Sequence, residues 1–219
     1  MTAIDDLPIL YSFRRCPYAM RARLVLSEAG IKVALREVVL RDKPADMLEK
    51  SSKGTVPVLV LPDGTVIDES EDIIHWALTK QDPNGWAPKT DADKVACDAL
   101  FKDNDGTFKT HLDRYKYANR YAGAVASEHR TGGMVYINDI EARLNKTPYL
   151  AGASFGLADA VVAPFVRQFA NTDRAWFDAQ DLPALHAWLG SFLDSERFKA
   201  IMAKYPQWRE GDQPTVFPA

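Results

Sequence analysis

The chain is expected to fold as an α/β domain followed by an all-helical one. Three observations predict this. The first eighty residues alternate short apolar, β-prone runs with helix-forming stretches. A polar segment rich in proline and glycine, Lys80 to Lys89 (KQDPNGWAPK), then interrupts the pattern. Beyond it, apolar residues recur at helical spacing and no convincing strand pairs are found.

The elements follow in order. Pro8 to Phe13 (PILYSF) reads as a strand, and Pro17 to Ala29 as a helix that stops at Gly30. Val33 to Leu40 is the second strand and Ala45 to Lys50 a short helix. Val56 to Leu61 is a compact buried strand, and Asp63-Gly64 is a hairpin dipeptide that hands over to Thr65-Val66-Ile67. A helix from Ser70 to Leu78 completes the order β-α-β-α-β-β-α, which implies a small mixed sheet with helices on it. Residues 81–89 are the linker. In residues 90–219, helices are expected over Lys94 to Tyr121, around Tyr136, Ile140 and Leu144, and over Leu157 to Phe169, Leu182 to Leu193 and Phe198 to Tyr205. The proline-rich tail from Pro206 should be extended.

Composition excludes several function classes. With 27 basic and 30 acidic side chains, the net charge of −3 offers no global field for nucleic acid or an anionic membrane. No apolar run approaches the ~18 residues of a membrane span, and the opening MTAIDDLPIL lacks the basic and apolar regions of an export signal. A reducing, cytoplasmic setting is therefore expected, and Cys16 and Cys97 are no disulfide framework. His75, His111, His129 and His186 have no metal-ligand spacing, so no metal is expected.

The chemistry concentrates at Cys16. It stands where a strand hands over to a helix, with Pro17 in the position that favours proline at a first helical residue. Free N–H groups and the helix dipole at such a terminus stabilise an anion. Between Leu7 and Ser27 stand Arg14, Arg15, Arg21 and Arg23, and no acid. Both influences favour the thiolate. The alternative is that Cys16 is a small buried hydrophobe. That is the expectation for Cys97, whose surroundings (KVACDALF) read as a core-facing helical stripe.

Phe13-Arg14-Arg15-Cys16-Pro17-Tyr18-Ala19 resembles the active-site loop of cysteine-type glutathione transferases and is similar to the Cys-Pro-Tyr-Cys loop of glutaredoxins. Val56-Pro57 resembles the Val-Pro dipeptide of thioredoxin-like folds, whose proline is cis in that family. Asp68-Glu69-Ser70 resembles the acidic-Ser pair that holds the γ-glutamyl end of glutathione. Leu40 to Pro44 (LRDKP) is similar to the omega-class segment whose lysine pairs with the glycine carboxylate. Tyr149 to Gly152 (YLAG), followed by Leu157-Ala158-Asp159, looks like the helical-domain signature of the glutathione S-transferase superfamily.

The resemblance implies a thioredoxin-like glutathione-binding domain over residues 1–80 and an all-helical domain over 90–219. It implies glutathione as co-substrate, Cys16 as nucleophile, and Lys43, Val56, Pro57, Glu69 and Ser70 as glutathione ligands. Phe13, Tyr18 and Tyr115 are candidates for the second-substrate pocket, and a homodimer is expected. Each ligand makes chemical sense, because glutathione carries two carboxylates and an ammonium. Glu69-Ser70 can equally be a plain helix start, and Lys43 an ordinary solvated charge. Two departures stand out: Ala19 replaces the second thiol of a dithiol glutaredoxin, and Gly156 removes the side-chain half of a capping box with Asp159.

The reading favoured by a single reactive thiol is transfer of a glutathionyl group through Cys16, the partner being a glutathionylated thiol or a small electrophile. One rival is a conjugating transferase in which Tyr11 or Ser12 donates to glutathione. Another is a non-catalytic protein-binding module on the same fold.

Overall fold

The computed structural model describes residues 6–218. Of the opening read as lacking an export signal, residues 1–5 lie outside the described residues. The chain divides into two units, one of residues up to Ala87 together with those from Ser195 onward, the other Pro88–Asp194.

In the first unit, β1 (Ile9–Ser12) is followed by α1 (Pro17–Glu28), β2 (Val33–Glu37), α2 (Ala45–Lys50), β3 (Val58–Val60), β4 (Val66–Ile67) and α3 (Ser70–Lys80). Strands β1 and β2 run parallel, as a helical crossover requires, while β3 lies antiparallel to β1 and β4 antiparallel to β3. Gly64, at φ 86°, makes the β3–β4 turn, and Asp63 Oδ1 accepts the N–H of Thr65 at 2.8 Å. Strand β2 stops at Glu37, short of the expected Leu40, because Val39 turns back to bridge Asp42.

The second unit holds α4 (Asp91–Asp103), α5 (Lys109–Lys116), α6 (Ala126–Leu144), α7 (Leu157–Ala170), α8 (Arg174–Asp178) and α9 (Pro183–Asp194). Helix α4 begins three residues before the expected Lys94, at a capping box of Thr90 and Asp93. The run expected over Lys94 to Tyr121 is broken by a π-turn over Asn104–Phe108, where Gly106 leaves helical geometry at φ −89°, ψ −106°. Asn, Asp and Gly are poor helix formers, and the break falls on them. Phe108 stacks on Tyr136 with ring centroids 4.4 Å apart and meets Phe169 at 5.7 Å. Gly133 keeps that cluster closed, since a Cβ there would come within 2.6 Å of the Phe169 ring. Asp159, fully buried, accepts the N–H groups of Leu150, Ala151 and Gly156 and the indole N–H of Trp188. The aspartate half of the α7 capping box thus forms without a partner side chain from Gly156. Burial pushes the Asp159 carboxyl above its ordinary value, opposed by those four donors.

The expected extent of the helical part, 90–219, differs from the structure. From Ser195 the chain belongs with the first unit. Ser195 caps α10 (Glu196–Ile201), which packs on α1. Trp208 donates its N–H to the Glu37 carbonyl at 2.9 Å, and β5 (Thr215–Phe217) pairs antiparallel with β2, Phe217 opposite Val33. The sheet therefore has five strands, in the order β4-β3-β1-β2-β5. A three-residue strand among prolines carries too little periodicity to be read from sequence. Among the described residues no helix is long and apolar enough to cross a membrane.

Candidate active site

The turn after β1 delivers Cys16 to the N-cap of α1, at φ −73° and ψ 122°, with Pro17 as the first helical residue. The Cys16 N–H closes the turn on the Phe13 carbonyl at 3.0 Å, and the Cys16 carbonyl accepts the first helical bond, from Met20, at 2.8 Å. No side chain caps this terminus, and its first turn holds no acid. The thiol is half-buried against a cluster that includes Tyr11, Ala19, Val38, Met47, Val56 and Val58, and it donates to the Val56 carbonyl across 3.6 Å. Neither cysteine is in a disulfide. The peptide between Val56 and Pro57 is cis.

The four arginines divide by depth. Arg15 is exposed, its guanidinium 5.5 Å from the Phe13 ring centroid. Arg14 reaches the Met202 carbonyl at 3.5 Å. Arg21 and Arg23 are buried. Arg23 donates to the Ser12 hydroxyl and, at 2.8 Å, to the Arg14 carbonyl, bracing the Cys16 turn from beneath. Burial pushes Arg23 down to about 10, while Glu37 and Cys16 act in the opposite direction. The sequence segment around Cys16 holds no acid, but β2 brings one: Glu37 Oε1 accepts the Arg14 N–H at 2.7 Å. Burial raises the Glu37 carboxyl, opposed by that N–H and by Arg23 and Arg14.

Of the two hydroxyls considered as donors to glutathione, one gives its proton elsewhere and the other is sealed from the surface. The Tyr11 hydroxyl donates to Asp46 and accepts from Arg36 at 2.5 Å; burial first, then Asp46, pushes it well above the usual phenol range. Ser12 has no exposed surface and accepts from Arg23.

The other sequence-predicted residues are placed as follows. Glu69 is the N-cap of α3 and Ser70 its first residue. Ser70, buried, accepts twice from Arg21, from Nε at 3.0 Å and Nη2 at 2.8 Å. Glu69 is exposed and pairs with Lys53 at 2.7 Å; Lys53 also meets Asp68 at 3.0 Å, and Ser51 donates to Asp68 at 2.7 Å. The Ser51 hydroxyl, then Lys53, holds the Asp68 carboxyl below its ordinary value. Lys43 is exposed, and its Nζ lies 3.5 Å from where a Cβ on Gly54 would stand, facing the loop that leads to Val56. Phe13 and Tyr18 are half-buried in the first unit, and the Arg21 guanidinium lies 4.9 Å from the Tyr18 ring centroid. Tyr115 is buried in the second unit, 5.2 Å from the Phe169 ring. Cys97 lies in α4 and is half-buried rather than inside the core; Leu100 and Phe101 carry the burial of that helix.

Sequence reasoning missed Glu37, Lys53 and the Arg21–Ser70 pair. A lysine in the polar stretch Ser51 to Thr55, just before Val56-Pro57, was the one local signal available. Among the described residues there is no group of three or more histidine, cysteine or acidic side chains able to hold a metal.

Comparison with known proteins agrees in kind. Residues 10–85 match the family model of the glutathione S-transferase N-terminal domain, and residues 136–191 that of its C-terminal domain. The chain is 25% identical over 199 residues to glutathione S-transferase omega-1 of Sus scrofa, covering 90% of this chain and 81% of that one. It is 28% identical over 209 residues to pyrimidodiazepine synthase of Drosophila melanogaster, covering 92% and 82%. Among solved structures, a glutathione transferase family member from Pseudomonas fluorescens with two glutathione bound superposes with a TM-score of 0.79, at 15% identity over 92% of this chain and 94% of that one. A glutathione S-transferase from Methylobacillus flagellatus with glutathione bound gives 0.78 at 23% identity, over 89% and 98%.

Proposed function

Because the chain belongs to the glutathione S-transferase superfamily, we propose that this glutathione transferase works as a thiol transferase with Cys16 as its nucleophile. One observation carries the reading. The thiol occupies a helix N-terminus with no side-chain cap, while of the hydroxyls that a conjugating enzyme would need beside it, Tyr11 has given its O–H to Asp46 and Ser12 has no exposed surface.

In the first step the Cys16 thiolate attacks the glutathionyl sulfur of a mixed disulfide. The sulfur–sulfur bond breaks, the other thiol leaves as its thiolate and takes a proton from solvent, and Cys16 holds the glutathionyl group. A second glutathione, as thiolate, then attacks the sulfur of that group. Cys16 leaves as thiolate, and glutathione disulfide is released. Ala19, fully buried one turn along α1, offers no resolving thiol, so the second step waits for external glutathione. Reductive removal of glutathione from a carbon-bound adduct, or reduction of dehydroascorbate, would begin from the same thiolate.

Glutathione would lie with its cysteinyl backbone along Val56 and Pro57, its γ-glutamyl end at Glu69 and Ser70, and its glycine carboxylate toward Lys43. Within the first unit, Phe13 and Tyr18 are the proposed contacts of the second substrate. A cytoplasmic homodimer is the proposed working form, testable by light scattering on the purified chain. The decisive experiment compares release of glutathione from a glutathionylated peptide with conjugation of an aromatic halide. Faster thiol transfer supports the proposal, and conjugation alone overturns it. Failure to bind a glutathione column would instead favour a non-catalytic binding module.

A further inference from the structure

We infer that Arg21 is the positioning residue that fixes Ser70 as a hydrogen-bond donor, and so commits this end of the site to a carboxylate; the inference rests on the glutathione reading above. A serine hydroxyl has two lone pairs and one O–H. The Ser70 oxygen faces one guanidinium, which donates to it from Nε at 3.0 Å and from Nη2 at 2.8 Å and has no acceptor for its proton. The O–H proton must therefore point elsewhere, and among the described residues no hydrogen bond donated by Ser70 is recorded. Ser70 is 3% exposed, so its remaining donor is held in one place rather than averaged by solvent.

That donor sits at the first position of α3, beside backbone N–H groups that lack intrahelical partners. Donors converging at a helix start suit a carboxylate and reject an ammonium, which brings only protons of its own. The acceptor needed for an ammonium is next door, at Glu69, an exposed carboxylate now holding Lys53. Arg21 thus decides which way round the amino-acid end of the ligand can lie. Its fork is held by burial (1% exposed) and by the Tyr18 ring 4.9 Å away. Lysine cannot reproduce it, because an ammonium lacks the planar pair of donors. In its absence the Ser70 hydroxyl can rotate and accept as readily as donate.

The experiment compares two ligands by calorimetry: glutathione, and 4-aminobutyryl-cysteinylglycine, which keeps the terminal ammonium but lacks the adjacent carboxylate. The parent chain should prefer glutathione by about ten- to a hundredfold, the value of a hydrogen bond to a charged group. Arg21→Met and Arg21→Lys should each cut that preference to about threefold or less, mainly by weakening glutathione. Ser70→Ala should cut it equally, and adding Arg21→Met to Ser70→Ala should change it no further. Circular dichroism establishes that each variant is folded, and Arg21→Lys keeps the buried charge if Arg21→Met does not fold. Equal weakening of both ligands, or a preference that survives in the variants, would overturn the assignment while leaving the glutathione reading intact. Binding of neither ligand by the parent chain would overturn both.

Discussion

Two helix starts in this molecule are built in opposite ways. At α7, the buried Asp159 carboxylate collects the N–H of Gly156, those of Leu150 and Ala151 from the preceding loop, and the Trp188 indole. Every donor aimed at that carboxylate is used inside the fold, so the terminus serves stability. At α1 there is no capping side chain and no acid in the first turn, and a half-buried thiol stands at the N-cap. In the proposed function the positive end of that helix stabilises the Cys16 thiolate. Two motifs that look alike in sequence thus differ in where their donors are spent. A terminus whose donors are saturated internally is structural; one left open beside an ionisable group is available for chemistry.

Cys16→Ser should sharpen the contrast most. A serine hydroxyl is not appreciably ionised near neutral pH, so thiol transfer should fall by about a thousandfold or more. Cys97→Ser, within α4, should leave the rate unchanged. Activity of Cys16→Ser within a few-fold of the parent would erase the distinction between the two helix starts. Next in size is Asp159→Ala, which leaves four donors without their acceptor and should cost about 3 kcal/mol or more of stability. Urea unfolding reads this directly, and an unchanged midpoint would mean that the α7 start is not structural.

Glu37→Gln gives a smaller effect, with a defined sign. Glutamine retains the acceptor for the Arg14 N–H but removes the charge that offsets Arg23 and Arg14. The field at Cys16 becomes more positive, so the pH midpoint of its alkylation should fall. Stability follows from the same carboxyl. Burial raises Glu37 above its ordinary 4.5, so the folded state disfavours its charged form. The stabilising difference is full below pH 4.5 and is lost as pH rises through the raised value. The parent should therefore lose stability relative to Glu37→Gln over that window, and parallel curves would contradict the placement of the charge. The smallest effect is expected at the α3 start. Lys53→Met breaks only exposed pairs with Asp68 and Glu69 and should leave the thermal midpoint unchanged.

Local signals made much of this legible. Cys16-Pro17 announced the α1 start, Ser70 the α3 start, and Asp159 its reach back to Gly156, because caps and prolines act within a few residues. Helix α2 was read to its residue limits, Ala45–Lys50. What escaped was set by pairing at a distance. Glu37 reaches the Cys16 turn only because β2 lies in register with β1, Ser12 opposite Glu37. Arg21 meets Ser70 only once α1 and α3 pack together. The return of the tail as β5 depends on an open β2 edge that no local periodicity reports. Cys97 was expected in the core because its stripe is apolar, yet that stripe contains alanines and Val95, which is 68% exposed. Small apolar residues are tolerated on either face, and only Leu100 and Phe101 mark the inward side.

Incubating the parent chain with glutathione disulfide, followed by intact mass and peptide mapping, tests whether the α1 terminus makes Cys16 the reacting thiol. Attack on a disulfide needs thiolate and access, and the uncapped helix start beside buried Arg23 supplies the first at Cys16. One glutathionyl adduct per chain is expected, on Cys16, persisting until a second thiol is added, because Ala19 stands where a resolving cysteine would. An adduct on Cys97 alone, or loss of two hydrogens with no adduct, would contradict it.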